Sequence, residues 1–261
     1  MKKPTTFQIG DRKIGTEFKP LIIFELGINH NGNLKLAKKI VDSAILAGAE
    51  VIKHQTHLSE DEMSNEAKKI IPVHANDSIY NIIKKCSLNE RDELELKNYI
   101  EKKNAIFLST PFSRKATDRL VKFKVKAFKI GSGECNNYPL VDYIASFGKP
   151  VIMSTGMNDL NSIKKSVKIL VKRKIQFALL HTTNLYPTPH NLIRLNSLTQ
   201  LKKNFPNTVI GLSDHTADNF TSYAAVALGA SIIEKHFIDN KTTRKGQDIA
   251  ASVNISQMKE L

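Results

Sequence analysis

Cysteine is almost missing from this chain: Cys86 and Cys135 are the only two in 261 residues. That is too few for a disulfide framework or a cysteine-rich metal site, and it suits a reducing cytoplasm. Long hydrophobic runs are also lacking. The best, such as PLIIF and VIM, fall far short of the ~20 residues of a membrane span. The N-terminal stretch MKKPTTFQIGDRK has no apolar core of the kind a secretory signal needs. Acidic residues are in deficit, 25 Asp and Glu against 39 Lys and Arg, for a net charge of +14. The excess is spread over short pairs on expected helices, as in KLAKKI, EAKKI, IIKKC and SIKKSVKILVKRK. With no aromatic-studded basic stretch, zinc-finger spacing or RNA-binding signature, neither nucleic acid nor a membrane is the expected partner. An anionic small-molecule substrate would still be drawn to such a surface.

What is present is alternation. Short apolar runs read as strands at Leu21–Leu26, Val51–Gln55, Ala105–Ser109, Ala127–Ile130, Pro150–Ser154, Phe177–His181, Thr208–Leu212 and Ser231–Lys235. Helical patterns intervene at Leu34–Ala47, Glu90–Lys103, Arg114–Lys122, Leu140–Phe147, Ser162–Lys172, Leu192–Phe205 and Phe220–Leu228. Asn33, Asn89, Ser113 and Asn161 stand at expected N-caps, and Gly48 and Gly229 at C-terminal stops. Eight β–α repeats predict an α/β fold, a closed (β/α)8 barrel. The absence of GxGxxG after the first strand argues against a dinucleotide-binding sheet. FQIGDRKIG reads as a hairpin plugging the barrel bottom. The expected division is therefore a β-hairpin cap over residues 1–19 and a barrel over 20–261. A helical excursion is expected between Gln55 and Glu90. The last helix, beginning near Asn254 with Ile255, Met258 and Leu261 in phase, has about two turns, short for a barrel helix.

Barrel enzymes place their chemistry at the C-terminal ends of the strands. Those positions hold Glu25, Lys53, Gln55, Thr110, Lys129, Ser132, Glu134, Asn184, Tyr186, Ser213, Asp214, His215, Glu234, Lys235 and His236. Two strand-end lysines with the hydroxyls of Thr110, Ser132 and Ser213 suit a phosphorylated or carboxylated anion. His215 and His236, from consecutive strands, can reach one point. There they are either a two-imidazole set for Mn2+, Zn2+ or Fe2+, or hydrogen-bonded rim histidines. His30, in GINHNG, is expected to stabilise its own turn.

GINHNG, IKHQTH, STPFS, FKIGSGECNN, STGM, TTNLYPTP, GLSDHT and EKHF occur in this order over roughly residues 17–250. Together they resemble the sialic acid synthase (N-acetylneuraminate synthase) family. The resemblance implies condensation of phosphoenolpyruvate with the open-chain aldehyde of an N-acetylated hexose, releasing phosphate. It assigns Lys53, Thr110, Lys129, Ser132, Asn184 and Ser213 to phosphoenolpyruvate, and Gln55, Glu134, Tyr186 and Asp248 to the sugar. Glu25 would handle the attacking water or its proton. His215 and His236 would ligate a divalent metal, Mn2+ first and Mg2+ or Co2+ as alternatives. TTNLYPTP resembles the branch that uses N-acetylmannosamine to make N-acetylneuraminate, with legionaminate or pseudaminate synthesis from a diacetamido hexose second.

Two departures stand beside that likeness. After the last strand the family carries Gly-Pro-Asp, whereas this chain reads KGQDIAASVNIS, with Gln247 at the proline and Asp248 retained. The family also has a C-terminal antifreeze-like domain that completes a swapped homodimer and lends an arginine to the sugar site, and these 261 residues do not include one. The expectation is a weakly stable polypeptide, or a fragment, that catalyses poorly alone. The rival readings are an aldolase with Lys53 or Lys129 as Schiff-base nucleophile, and a non-catalytic remnant.

Overall fold

The structure, a computed structural model, describes residues 5–72, 75–244 and 246–261. Residues 1–4 of the expected cap, and Lys245, lie outside the described residues. Strands β1 (Phe7–Ile9) and β2 (Arg12–Ile14) pair antiparallel across Gly10 and Asp11, with Phe7 opposite Ile14. Eight parallel strands follow: β3 (Leu21–Gly27), β4 (Val51–Thr56), β5 (Ile106–Pro111), β6 (Phe128–Ile130), β7 (Val151–Ser154), β8 (Phe177–Thr182), β9 (Val209–Asp214) and β10 (Ile232–His236). Their order is β5-β4-β3-β10-β9-β8-β7-β6. The two end strands, β5 and β6, lie against each other without a ladder, so the sheet forms a nearly closed (β/α)8 barrel.

The helices are α1 (Leu34–Leu46), α2 (Ser59–Glu62), α3 (Ile79–Cys86), α4 (Glu90–Lys102), α5 (Arg114–Lys122), α6 (Tyr138–Ala145), α7 (Leu160–Lys172), α8 (Asn196–Asn204), α9 (Phe220–Ala227) and α10 (Ile255–Glu260). Asn33, Asn89 and Ser113 cap as their positions predict, each side chain accepting a first-turn amide. Asn161 does not. Asp159 caps α7 instead, accepting from Ser162 N at 2.7 Å, since a carboxylate suits a helix N-terminus better than a neutral amide. Helix α8 is shorter than Leu192–Phe205 because Arg194 takes φ 55° and interrupts the chain before Asn196.

Strand alternation sorts the core into two layers. Outward residues such as Phe24, Ile52, Phe107, Phe128, Met153, Leu179, Leu212 and Ile233 pack under the helices. Inward residues Leu21, Ile23, Val51, Leu108, Ala127, Ile152, Ala178, Leu180, Val209 and Ile232 fill the barrel, joined by Phe7, Ile9 and Ile14 of the hairpin. The lower barrel is therefore dry and plugged from below. One step further along the same inward faces the residues turn polar: Glu25, Lys53, Gln55, Thr110, Lys129, Ser154, Ser213, Glu234 and His236. A polar layer thus stands on an apolar floor.

The C-terminal segment is tied in. Asn254 and Gln257 form a reciprocal capping box on α10, and Met258, 3% exposed, packs into the outer core. Asn29, after β3, donates to Phe237 O at 3.1 Å and Ser252 Oγ at 2.9 Å, joining the first and last βα loops.

Candidate active site

Register places the polar layer before any side chain is considered. Glu25 lies opposite both Lys53 and His236, Gln55 opposite Thr110, and Ser213 opposite Glu234 and Thr182. Lys53 Nζ lies 2.8 Å from Glu25 Oε2 and 3.9 Å from Glu234 Oε1, and donates to Thr110 Oγ1 at 3.4 Å. Lys129 Nζ lies 3.5 Å from the same Glu234 oxygen and donates to Ser154 Oγ at 2.7 Å. Ser213 donates to Glu234 Oε1 at 2.9 Å. Two ammonium groups and a hydroxyl therefore crowd one carboxylate oxygen, while Glu234 Oε2 is buried without a hydrogen-bond partner.

These groups titrate apart. Burial opposes the Lys53 charge, but the Glu234 and Glu25 carboxylates outweigh it and hold the ammonium above its usual range. Burial pushes Lys129 down to about 8, the Lys53 charge adding to the effect and Glu234 only partly offsetting it. Burial also favours a neutral Glu234, yet Lys129 and Lys53 drive it down to about 2. With two cations against Glu25 and Glu234, the mouth has positive charge to redirect when an anion arrives.

Beside the lysines stand the histidines. The His215 and His236 ring centroids are 5.4 Å apart, and Tyr186 stacks on His215 at 4.1 Å and meets His236 edge-on at 5.5 Å. His215 Nδ1 lies 2.9 Å from Thr183 O, which makes it the donor. Nε2 keeps a lone pair, 3.1 Å from Tyr186 OH and 3.5 Å from Ser213 Oγ. Burial, reinforced by His236, pushes His215 down to about 3, so the ring is neutral at ordinary pH. Tyr186 is 44% exposed, but its hydroxyl end points inward. Burial first, then the charges of Asp248, Glu25 and Glu234, keep that phenol protonated. Asp248 Oδ2 lies 3.7 Å from His236 Nδ1. Gly27, at φ 52°, makes room for it: a β-carbon there would lie 2.7 Å from that oxygen.

A neutral imidazole whose Nε2 lone pair faces the Tyr186 and Ser213 hydroxyls, next to a second imidazole whose buried Nδ1 has no hydrogen-bond partner, suits a divalent cation with open coordination positions. Among the described residues, no group of three or more His, Cys, Asp or Glu converges as a ligand set. The two histidines are the nitrogen donors brought together there.

Ser132 and Asn184 form a third group. Gly156 N donates to Ser132 Oγ at 3.1 Å, and the Asn184 Oδ1, buried and unpartnered, packs over the same glycine. Both adjoin a cleft of about 530 Å3 between β7 and β8, lined by Gly156, Asn158, Asn184 and Arg194 among others. Glu134 stands apart from the other residues assigned to the sugar. It accepts from Asn137 Nδ2 at 2.7 Å and lines a separate cleft of about 410 Å3 with Glu62 and Phe112. Burial raises its carboxyl, with the Glu62 charge adding to the rise.

Asp214 and Lys235 face outward, as alternation requires. They form a 2.7 Å ion pair bonded to Ser222 and Thr216, bracing β9 against β10 behind the site. His30 accepts from Gly32 N at 3.1 Å within its own turn. Sequence reasoning gave Glu234 no role. Its signal was alternation alone, which puts it on one face with His236.

The model of the NeuB family matches residues 40–261. Over 250 residues the chain is 40% identical to an N,N'-diacetyllegionaminic acid synthase of Campylobacter jejuni, covering 93% of this chain and 74% of that protein. It is 31% identical to the human N-acetylneuraminate-9-phosphate synthase, covering 96% of this chain and 70% of that one. The crystal structure of an N-acetylneuraminic acid synthetase from Leptospira borgpetersenii, in complex with citrate, superposes with a TM-score of 0.90 at 32% identity. It covers 98% of this chain and 86% of that one. An inward polar layer of this make-up and a match over most of the length agree: the chain belongs to the NeuB family of sugar acid synthases.

Proposed function

We propose that the protein condenses phosphoenolpyruvate with the open-chain aldehyde of an N-acetylated hexose, giving a nine-carbon 2-keto acid and inorganic phosphate. The observation that carries this reading is the pair of buried ammonium groups on one Glu234 oxygen, next to two imidazoles. Lys53, Thr110, Lys129, Ser132, Asn184 and Ser213 would grip the carboxylate and phosphate. Gln55, Tyr186 and Asp248 would hold the sugar, with Glu134 at its outer end. His215 and His236 would hold a divalent ion, preferentially Mn2+, which when bound supplies Lewis acidity toward a carbonyl oxygen.

In this reading C3 of phosphoenolpyruvate bonds to the aldehyde carbon, the C=O π pair moves to the aldehyde oxygen, which takes a proton to become a hydroxyl, and positive character develops at C2. Glu25, 2.8 Å from both Lys53 and Gln55, would orient water toward C2 and take its proton. The resulting tetrahedral carbon expels phosphate by C–O cleavage, and Lys53 and Lys129 stabilise the departing charge. The dry barrel floor keeps bulk water from competing.

For the sugar, 40% identity to a diacetyllegionaminic acid synthase puts a diacetamido hexose first, and 32% identity to the N-acetylneuraminic acid synthetase keeps N-acetylmannosamine beside it. N-Acetylmannosamine, the first expectation from TTNLYPTP, becomes the second reading. Mass spectrometry of products from phosphoenolpyruvate, Mn2+ and a panel of acetamido hexoses decides between them. A phosphate-releasing condensation with one panel member is expected. Borohydride trapping of a pyruvate adduct on Lys53 or Lys129 would instead establish the aldolase.

A further inference from the structure

Strand β4 delivers Gln55 to the barrel mouth, and two residues later His57 follows on the same side. The His57 ring lies flat on Phe112, with centroids 4.2 Å apart and planes within 10°. Its Nδ1 lies 3.0 and 3.2 Å from the two oxygens of Glu62, and its Nε2 lies 3.0 Å from Gln55 Oε1. Glu62 folds back over the single turn of α2, so that Oε2 also accepts Leu58 N at 3.2 Å. The side chains of His57 and Glu62 are only 6% and 5% exposed.

The far end of Gln55 settles which way its amide faces. Gln55 Nε2 donates to Glu25 Oε1 at 2.8 Å, and the other Glu25 oxygen is paired with Lys53 at 2.8 Å. Turning the amide over would set its oxygen against a carboxylate and its NH2 against the imidazole. Gln55 Oε1 must therefore accept from His57, while Glu62 as a carboxylate accepts at the opposite nitrogen. Both ring nitrogens are donors.

We infer that Glu62 and His57 form a positioning dyad that fixes the Gln55 amide, with its NH2 toward Glu25 and the barrel mouth, and thereby governs recognition of the sugar rather than of the anion. A glutamine amide has two orientations of equal shape and opposite polarity. Glu25 sets the polarity but holds the amide at its NH2 end alone; the dyad holds the Oε1 end as well, so the amide keeps one place in the mouth. The anion clamp is built from β4, β5, β6 and β9 and the turns after β6 and β8, without His57, so the two substrates should respond differently.

The role in sugar recognition rests on the proposed synthase activity; the dyad's geometry does not. The tests are steady-state kinetics of His57→Phe, which keeps the stack on Phe112 but removes both donors, and of Glu62→Gln. The Michaelis constant for the sugar is expected to rise about tenfold in His57→Phe, the order of one oriented hydrogen bond, and less in Glu62→Gln. That for phosphoenolpyruvate should stay within about twofold of wild type in both. An unchanged sugar constant, or a parallel rise in both, overturns the inference. Nitrogen-15 imidazole spectra, with His57 assigned by its loss in His57→Phe, supply a readout that needs no turnover. The expected signature is two protonated ring nitrogens in the wild type, and a neutral tautomer overturns the dyad. A wild-type protein that turns over no acetamido hexose would refute the synthase reading, and the spectra would still decide the dyad.

Discussion

Lys53 and Lys129 lean on the same oxygen: Glu234 Oε1 lies 3.9 Å from one ammonium and 3.5 Å from the other. Like charges so close in a dry barrel repel, and the shared carboxylate is what permits both. An incoming phosphate or carboxylate can take over that counter-ion role, which makes Glu234 an internal stand-in for the anion.

Glu234→Gln tests this. It keeps the shape and the bond from Ser213 but leaves two buried cations facing Glu25 alone, which is paired with Lys53. The unliganded variant should lose about 3–5 kcal/mol, as when one member of a buried ion pair is removed. Inorganic phosphate should then restore stability, giving a larger thermal shift than in the wild type. Melting curves with and without phosphate check it. Equal phosphate-induced shifts in the two proteins would refute the stand-in role.

Lys129 predicts opposite pH trends for stability and anion affinity. Its folded-state value of about 8 lies below the usual 10.5. Between those values the unfolded chain holds a proton that the folded chain lacks, so this group's contribution to stability rises with pH. The slope is at most about 1.4 kcal/mol per unit. Over the same window the ammonium is lost, and phosphoenolpyruvate affinity should fall by up to about tenfold per unit above pH 8. Calorimetric titrations and denaturant melts from pH 7 to about 10, on wild type and Lys129→Met, separate the two trends. Affinity that stays level across pH 8 would show that Lys129 does not clamp the anion.

Much of this site was legible because a barrel strand has a period of two. Glu25, Lys53, Thr110, Lys129, Ser213 and His236 could be read as inward strand-end residues, and the apolar residues beneath them as a floor. Cross-barrel partnership could not be read. That Glu234 is shared by Lys53 and Lys129 depends on β10 lying between β3 and β9 and on how far two long side chains extend. The Glu62–His57 pair was equally hidden, since it lies in an irregular excursion where no periodicity says which side chain faces which. Asp159 displaced Asn161 as a cap, and Arg194 cut α8 short, for similarly local reasons. Charge at a helix end and a single positive φ leave no trace in a hydrophobic pattern.

Gly156 makes the most direct structural demand on the anion site. A β-carbon there would lie 1.9 Å from Asn184 Oδ1, 2.8 Å from Thr182 O and 2.9 Å from Ser132 Oγ. Two of those atoms belong to side chains assigned to the anion, and the third is backbone that cannot swing away. Gly156→Ala must therefore push Asn184 and Ser132 off their positions. The cost to the fold should be about 1–3 kcal/mol, as for one methyl forced into a packed site. The cost to phosphoenolpyruvate turnover should approach ~100-fold, because displacements near 1 Å suffice for that. Gly133→Ala is the control: it is next to Ser132, yet its β-carbon would meet nothing within 4 Å. If both variants bound phosphate as tightly as the wild type, Asn184 and Ser132 would not be part of the clamp. If Gly156→Ala alone lost phosphate while keeping its melting profile nearly intact, the close approach at this glycine would be a requirement of the site rather than of the barrel.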